Sequence, residues 1–173
     1  MQIHPDPVER HVLSVIVDNE AGILARIAGL FTARGYNIDS LAVAVSEDPA
    51  TSVMTIVTSA SAQVLEQIIA QLDRLIPVHS VVYLTAQAGS VERELVLLRF
   101  SGGAQSMEEA TRIAVDHGAR IIATGASSLV IELTGQSVSI DSFIARLRVV
   151  GEVQAARTGV IAVAGQALQT KAN

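Results

Sequence analysis

Apolar residues recur along this chain with two alternating periods, and the order of the two is repeated. His11 to Val17 is a short Val-rich run closed by Asp18-Asn19, which predicts a strand. Ile23, Ile27, Leu30 and Phe31 then fall at helical spacing, with Leu24 and Ala28 widening the stripe, until Arg34-Gly35 closes the helix. From Tyr36 to Ser46 the period drops to two and gathers Leu41, Val43 and Val45 on one face. Glu47-Asp48-Pro49 then makes a turn, because a residue before proline is pushed out of helix. Val53 to Thr58 reads as a third strand. Ser61 is placed to cap a second helix carrying Leu65, Ile68, Ile69, Leu72 and Leu75. Pro77 ends that helix, and Val78 to Thr85 is a fourth strand. The order is βαββαβ.

Ala86 to Ser90 is small and uncharged and reads as a linker, after which the same grammar resumes. Glu94 to Phe100 predicts a strand and Gly102-Gly103 a break. Ser106-Met107-Glu108-Glu109 has capping-box spacing, which predicts a helix opening there, running through His117 and stopped by Gly118. Arg120 to Thr124 and Leu129 to Thr134 predict two strands with Gly125 in their turn. Ile140, Phe143, Ile144 and Leu147 mark a last helix, Gly151 follows it, and Val153 to Val163 is strand material. The expected fold class is α+β, two tandem ferredoxin-like βαββαβ units, with domains at 10–86 and 91–165. Each unit is small for a self-sufficient core. A sheet edge or face should therefore be left for a partner, and a homodimer or larger assembly is expected.

Composition narrows the function classes. Of 173 residues 50% are hydrophobic and only 17% charged, which excludes disorder, as does a mean hydropathy of +0.44. Three Phe, two Tyr and no Trp leave few platforms for stacking bases, and Tyr83 and Phe100 are the aromatics on predicted strands. The net charge of −5, with Lys171 the lone lysine, gives no basic footprint for nucleic acid or anionic lipid. No apolar run approaches the roughly 18 residues of a membrane span, and the polar start with Pro5 and Pro7 does not read as a secretory signal. The absence of cysteine removes disulfides, thiolate zinc sites and a cysteine nucleophile. A soluble, cytoplasmic protein is expected.

Catalytic constellations are thin. Glu92/Glu94 and Glu108/Glu109 are carboxylate pairs at ordinary exposed spacings, and neither His11 nor His79 is paired in sequence with a nucleophile. No G-x-S-x-G, H-E-x-x-H, P-loop or G-x-G-x-x-G occurs. Arg99, or Arg26 with Asn37, is what remains for holding an anion in an enzyme of this fold.

The informative stretch is Asp18-Asn19-Glu20-Ala21-Gly22-Ile23-Leu24, between the first strand and the first helix. Gly22 opens that helix, so the N–H groups of Gly22, Ile23 and Leu24 lack intrahelical partners. They suit a small carboxylate, at about 0.3–1 kcal/mol per favourable charge and up to about 2 when partly buried. Asn19 adds a neutral amide with donor and acceptor, and Asn37, opening the next strand, adds another. Asp18-Asn19 equally fits an ordinary helix cap, and Gly35-Tyr36-Asn37 an ordinary turn. Spacing alone leaves both readings open.

The stretch from Asp18 to Leu41 (Asp-Asn-Glu-Ala-Gly-Ile-Leu-Ala-Arg-Ile-Ala-Gly-Leu-Phe-Thr-Ala-Arg-Gly-Tyr-Asn-Ile-Asp-Ser-Leu) resembles the ACT domain of the small regulatory subunit family of acetolactate (acetohydroxyacid) synthase. The likeness continues through Glu47-Asp48-Pro49, Ser52 to Ile56, Leu65 to Ile68, Val91 to Leu95 and Ala156 to Gly159, covering roughly residues 10 to 165. It implies a chain without catalysis of its own and without a bound cofactor. Thiamine diphosphate, Mg and FAD would belong to the large catalytic subunit, which the small subunit activates and makes sensitive to feedback inhibition by L-valine. It further implies an effector bound between two ACT domains of a homodimer, with contacts at Asn19, Gly22, Ile23 (through its backbone) and Asn37. Arg26 and Arg34, on the outward side of the first helix, are candidates for meeting the catalytic subunit. A stand-alone ACT-type amino-acid sensor with a different target is the nearest alternative. The chain departs from the family pattern at Ser101 to Gln105 and at His117-Gly118, where charged residues are usual. The family's second domain is similar to the ligand-binding half of nickel-responsive regulators. His117 is the lone histidine of that half here, so no histidine metal cluster is expected, and a packed, hydrogen-bonded ring is.

Overall fold

A computed structural model describes residues 7–165; Pro5 and Lys171 lie outside the described residues. The chain packs into two compact units, one of residues 7–91 with 160–165 and one of residues 92–159.

The first unit contains β1 (Glu9–Asp18), α1 (Ile23–Ala33), β2 (Ser40–Val45), β3 (Thr51–Ala60), α2 (Ala62–Asp73) and β4 (Val78–Tyr83). Its sheet has the order β2-β3-β1-β4, every neighbouring pair antiparallel. The apolar stripe of α1 (Ile23, Ile27, Leu30, Phe31) and that of α2 (Leu65, Ile68, Leu72) bury against Leu13, Val15 and Val17 of β1 and Met54 and Ile56 of β3. Full burial of one such side chain contributes about 1.5–3 kcal/mol. Ser61 caps α2 as the sequence indicates, its hydroxyl accepting from the Val64 N–H. The period-two residues of β2 share the helix-facing side of the sheet, but β2 is an edge strand: Leu41 packs on the core while Val43 and Val45 are exposed. On the other side of the sheet Val12, Val57, Leu84 and Val160 form a second, smaller cluster. Residues 160–165, expected to lie within the second domain, thus pack with the first unit, and Val160 N–H donates to Ser40 Oγ at 3.0 Å.

The second unit contains β5 (Val91–Ser101), α3 (Ala104–Asp116), β6 (Arg120–Thr124), β7 (Ser128–Gly135), α4 (Ser137–Val150) and β8 (Glu152–Arg157), with strand order β6-β7-β5-β8. A short strand, β9 (Ile161–Val163), follows a break at Gly159. Phe100, Phe143, Leu98, Ile131 and Ile140 fill the core of the second unit. The expected capping box at Ser106 is not formed: α3 starts at Ala104 with Gly103 as its cap and no side-chain cap bond, so Ser106 lies inside the first turn. The flexible Gly102-Gly103 pair lets the chain enter helical geometry before it reaches the serine. Gly151 passes so close to the Phe100 ring and the Ser101 carbonyl that a Cβ there would overlap both. The α+β arrangement of two βαββαβ units is the one the periodicity indicates.

Candidate functional site

Gly22 adopts φ +90°, a left-handed conformation that favours glycine, and it turns the chain from β1 into α1. It offers no side-chain cap, and the first turn holds no acidic residue. Among the described residues no backbone acceptor answers the N–H groups of Leu24 and Ala25, while Ile23 N–H makes a long 3.4 Å bond to the Glu20 carbonyl. A bare start alone does not single α1 out, since α3 and α4 also lack side-chain cap bonds. What sets it apart is its surroundings. Ile23 is buried in the core of the first unit. Leu24, half-exposed beside it, supplies apolar surface.

The Asn19 amide is already engaged at both ends. Its Nδ2 donates to the Pro49 carbonyl at 3.0 Å and its Oδ1 accepts from Ser52 Oγ at 3.2 Å. Its backbone N–H donates to the Ala50 carbonyl at 2.8 Å. Asn19 therefore fastens the entry of α1 to the β2–β3 turn, itself held by the Ala50 N–H donating to Asp48 Oδ1 and by the Ser46 hydroxyl. One Nδ2 hydrogen and one Oδ1 lone pair remain on the exposed side.

Asn37 lies elsewhere. Its carbonyl accepts from Thr58 Oγ1 at 2.6 Å, and Thr58 is registered with His11 near the start of β1, whereas Asn19 follows the end of that strand. The 11-residue α1 between Gly22 and Asn37 spans about 16 Å. One chain thus brings Asn19, Gly22 and Ile23 together and keeps Asn37 apart. Asn37 Nδ2 donates to Asp39 Oδ1 at 2.6 Å, and Ser59 Oγ donates to Asp39 Oδ2 at 2.7 Å. Asp39 and Ser52 were not singled out in the sequence; the Asn-x-Asp spacing was the available signal for the first, and nothing local marked the second.

Other candidates resolve into packing. His11 is buried, its Nε2 donating to the Ala60 carbonyl at 3.0 Å and its Nδ1 meeting the Tyr83 hydroxyl at 2.8 Å. With Phe100 fully buried and Tyr83 tied to His11, neither aromatic is presented for base stacking. His117 packs its ring against Phe143 and bonds the Ile113 carbonyl through Nδ1 at 2.9 Å. His79 pairs with Asp18 at 2.7 Å on the surface. Arg26 approaches Glu20 at 3.6 Å, and Arg34 donates to Gln71 Oε1 at 2.8 Å. Glu94, one of the exposed-looking pair, is in fact buried: it accepts from Arg157 and Ser137, and the Arg157 guanidinium holds its carboxyl below the usual glutamate range. No helix among the described residues is long and apolar enough to cross a membrane.

Two family models match the chain, an AHAS small subunit-like ACT domain over residues 13–80 and the small subunit of acetolactate synthase over residues 93–166. The chain is 42% identical over 153 residues to the acetolactate synthase isozyme 3 small subunit of Salmonella typhimurium, covering 88% of this chain and 93% of that protein. It is 40% identical over 154 residues to a probable acetolactate synthase small subunit of Archaeoglobus fulgidus, covering 89% and 96%. The crystal structure of an acetolactate synthase small subunit from Thermotoga maritima superposes with a TM-score of 0.82 at 30% identity, covering 90% of this chain and 96% of that one.

Proposed function

Because the chain belongs to the acetolactate synthase small-subunit family, we propose that it binds and activates the thiamine-diphosphate-dependent catalytic subunit of that enzyme and confers feedback inhibition by L-valine, acting in the cytoplasm as a homodimer. The division of the site between the two ends of α1 supports this most directly. Antiparallel pairing of two β2 edges about a two-fold axis sets the start of one β2 beside the end of the other. Asn37 and Asp39 lie just before that start. The end leads into the turn that Asn19 holds, next to Gly22. Such a dimer closes two equal sites, each with the helix entry of one copy and the Asn37 amide of the other.

The chemistry of each half then fits an amino acid. The N–H groups of Leu24 and Ala25 and the remaining Asn19 N–H take the carboxylate, aided by the helix dipole. Asn37 Oδ1, with Asp39 behind it, takes the ammonium, and Leu24 with the exposed valines of β2 provides an apolar wall. Regulation follows from differential affinity: a ligand that binds one arrangement of the dimer better, by a coupling of about 1–3 kcal/mol, shifts the catalytic subunit about 5–150-fold. Calorimetric titration with L-valine, with D-valine and L-lysine as controls, tests this with and without the catalytic subunit. Saturable binding of L-valine alone, near one site per chain, is expected. Absence of binding in both settings would refute the sensing role.

A further inference from the structure

We propose that Ser52 is a positioning residue of the effector site, fixing the Asn19 amide in the orientation that presents an N–H to a ligand carboxylate; this rests on the reading of Asn19 as an effector contact. Ser52 sits on β3, registered with Val17 of β1 and Val45 of β2, and is only 4% exposed. Removing a hydroxyl from water costs free energy unless it is hydrogen-bonded, and alanine would occupy that place with nothing to satisfy. The bond that the Ser52 hydroxyl makes goes to Asn19 Oδ1, at 3.2 Å. On the other side of the amide, the Pro49 carbonyl accepts from Nδ2 at 3.0 Å and has no hydrogen to give. The Pro49 carbonyl, which only accepts, sets which edge of the amide faces it, and the Ser52 hydroxyl holds the other edge in place. Rotating the amide by half a turn would set Oδ1 against the Pro49 carbonyl, two acceptors with no hydrogen between them.

Held in this way, Asn19 keeps one Nδ2 hydrogen toward solvent, on the same turn as the open N–H groups of Leu24 and Ala25. All three are donors and suit a carboxylate. Ser52 thus steadies, without touching the ligand, the amide whose N–H edge this half-site presents.

A double-mutant cycle on the full-length chain, read by calorimetric titration with L-valine, tests this. Ser52→Ala is expected to weaken L-valine binding about 2–12-fold, the worth of one hydrogen bond. Asn19→Ala should weaken it at least as much. The double variant should bind no worse than Asn19→Ala alone, since Ser52 acts through that amide. Ser52→Thr, which keeps the hydroxyl, should recover most of the affinity. Wild-type affinity in Ser52→Ala, or a loss that adds in full to that of Asn19→Ala, would overturn the role of Ser52 while leaving the site intact. Unchanged affinity in Asn19→Ala would overturn the effector contact itself, and the role of Ser52 with it.

Discussion

Gly22 and Asn37 stand at opposite ends of α1, so one copy of the chain holds both halves of the proposed effector site and can close neither. On the proposed function the site is a property of the dimer, and its occupancy would report on how two copies pack.

The free edge of β2 should then be the seam. Val43, 44% exposed, and Val45, 57% exposed, are the exposed large apolar side chains of that edge strand. Val43→Lys places like charges near one another across a two-fold pairing and is a common way to blunt a strand edge. The dimer dissociation constant should rise at least about tenfold, from a loss of roughly 1.4 kcal/mol, and L-valine binding should fall in parallel. Sedimentation equilibrium measures the first; an unchanged dimer would place the seam elsewhere.

Effector contacts should be separable from activation. Asn37→Ala and Gly22→Asp are expected to keep activation of the catalytic subunit and lose valine sensitivity. Gly22→Asp puts a carboxylate where the effector's own would sit, and strains a backbone at φ +90°, at a cost of about 1–2 kcal/mol. Valine inhibition curves on the reconstituted enzyme test this. A curve unmoved by Asn37→Ala would exclude that residue from the site.

Much of this was legible in the sequence, for physical reasons. Helical spacing of Ile23, Ile27, Leu30 and Phe31 and the alternation in β2 record which faces meet the core, so element order and type could be read directly. Ser106 misled because capping-box spacing says nothing of a Gly-Gly pair upstream, which permits an earlier helix start. Glu94 misled because strand alternation does not reveal that Arg157, 63 residues away, reaches back to it. For the site, Gly22 and Asn19 were visible as a helix entry. Ser52 bonds Asn19, 33 residues away, and Asp39, besides its local bond to Asn37, bonds Ser59; such long-range bonds have no local periodicity.

Acid should loosen the second unit. Glu94 accepts two bonds from Arg157 and one from Ser137, and Arg157 also bonds Asp141. The Glu94 carboxyl is held below the usual glutamate range chiefly by the Arg157 hydrogen bond. A depressed folded-state value means that its stabilisation is present above the unfolded value, about 4.3, and is lost as pH falls through the folded one. Glu94→Gln should therefore cost about 1–3 kcal/mol at pH 7, allowing for the partial exposure of Arg157. That difference should shrink on acidification below about pH 4. Urea denaturation at several pH values checks it; a gap independent of pH would mean that the charge is not what matters.

Packing at Gly151 should be intolerant. A methyl group there meets the Phe100 ring and the Ser101 carbonyl, both fixed in the core of the second unit. Gly151→Ala is expected to destabilise by about 1–3 kcal/mol, seen as a lower urea midpoint, with L-valine binding unchanged because the first unit is untouched.

Complementation between two defective copies tests the shared site most directly. A purified heterodimer of one Gly22→Asp chain and one Asn37→Ala chain retains one site with both halves intact and one with neither. Each homodimer of these variants should bind no L-valine, and the heterodimer should bind one molecule at close to wild-type affinity. A heterodimer as silent as its parents would show that the two halves do not meet across the dimer.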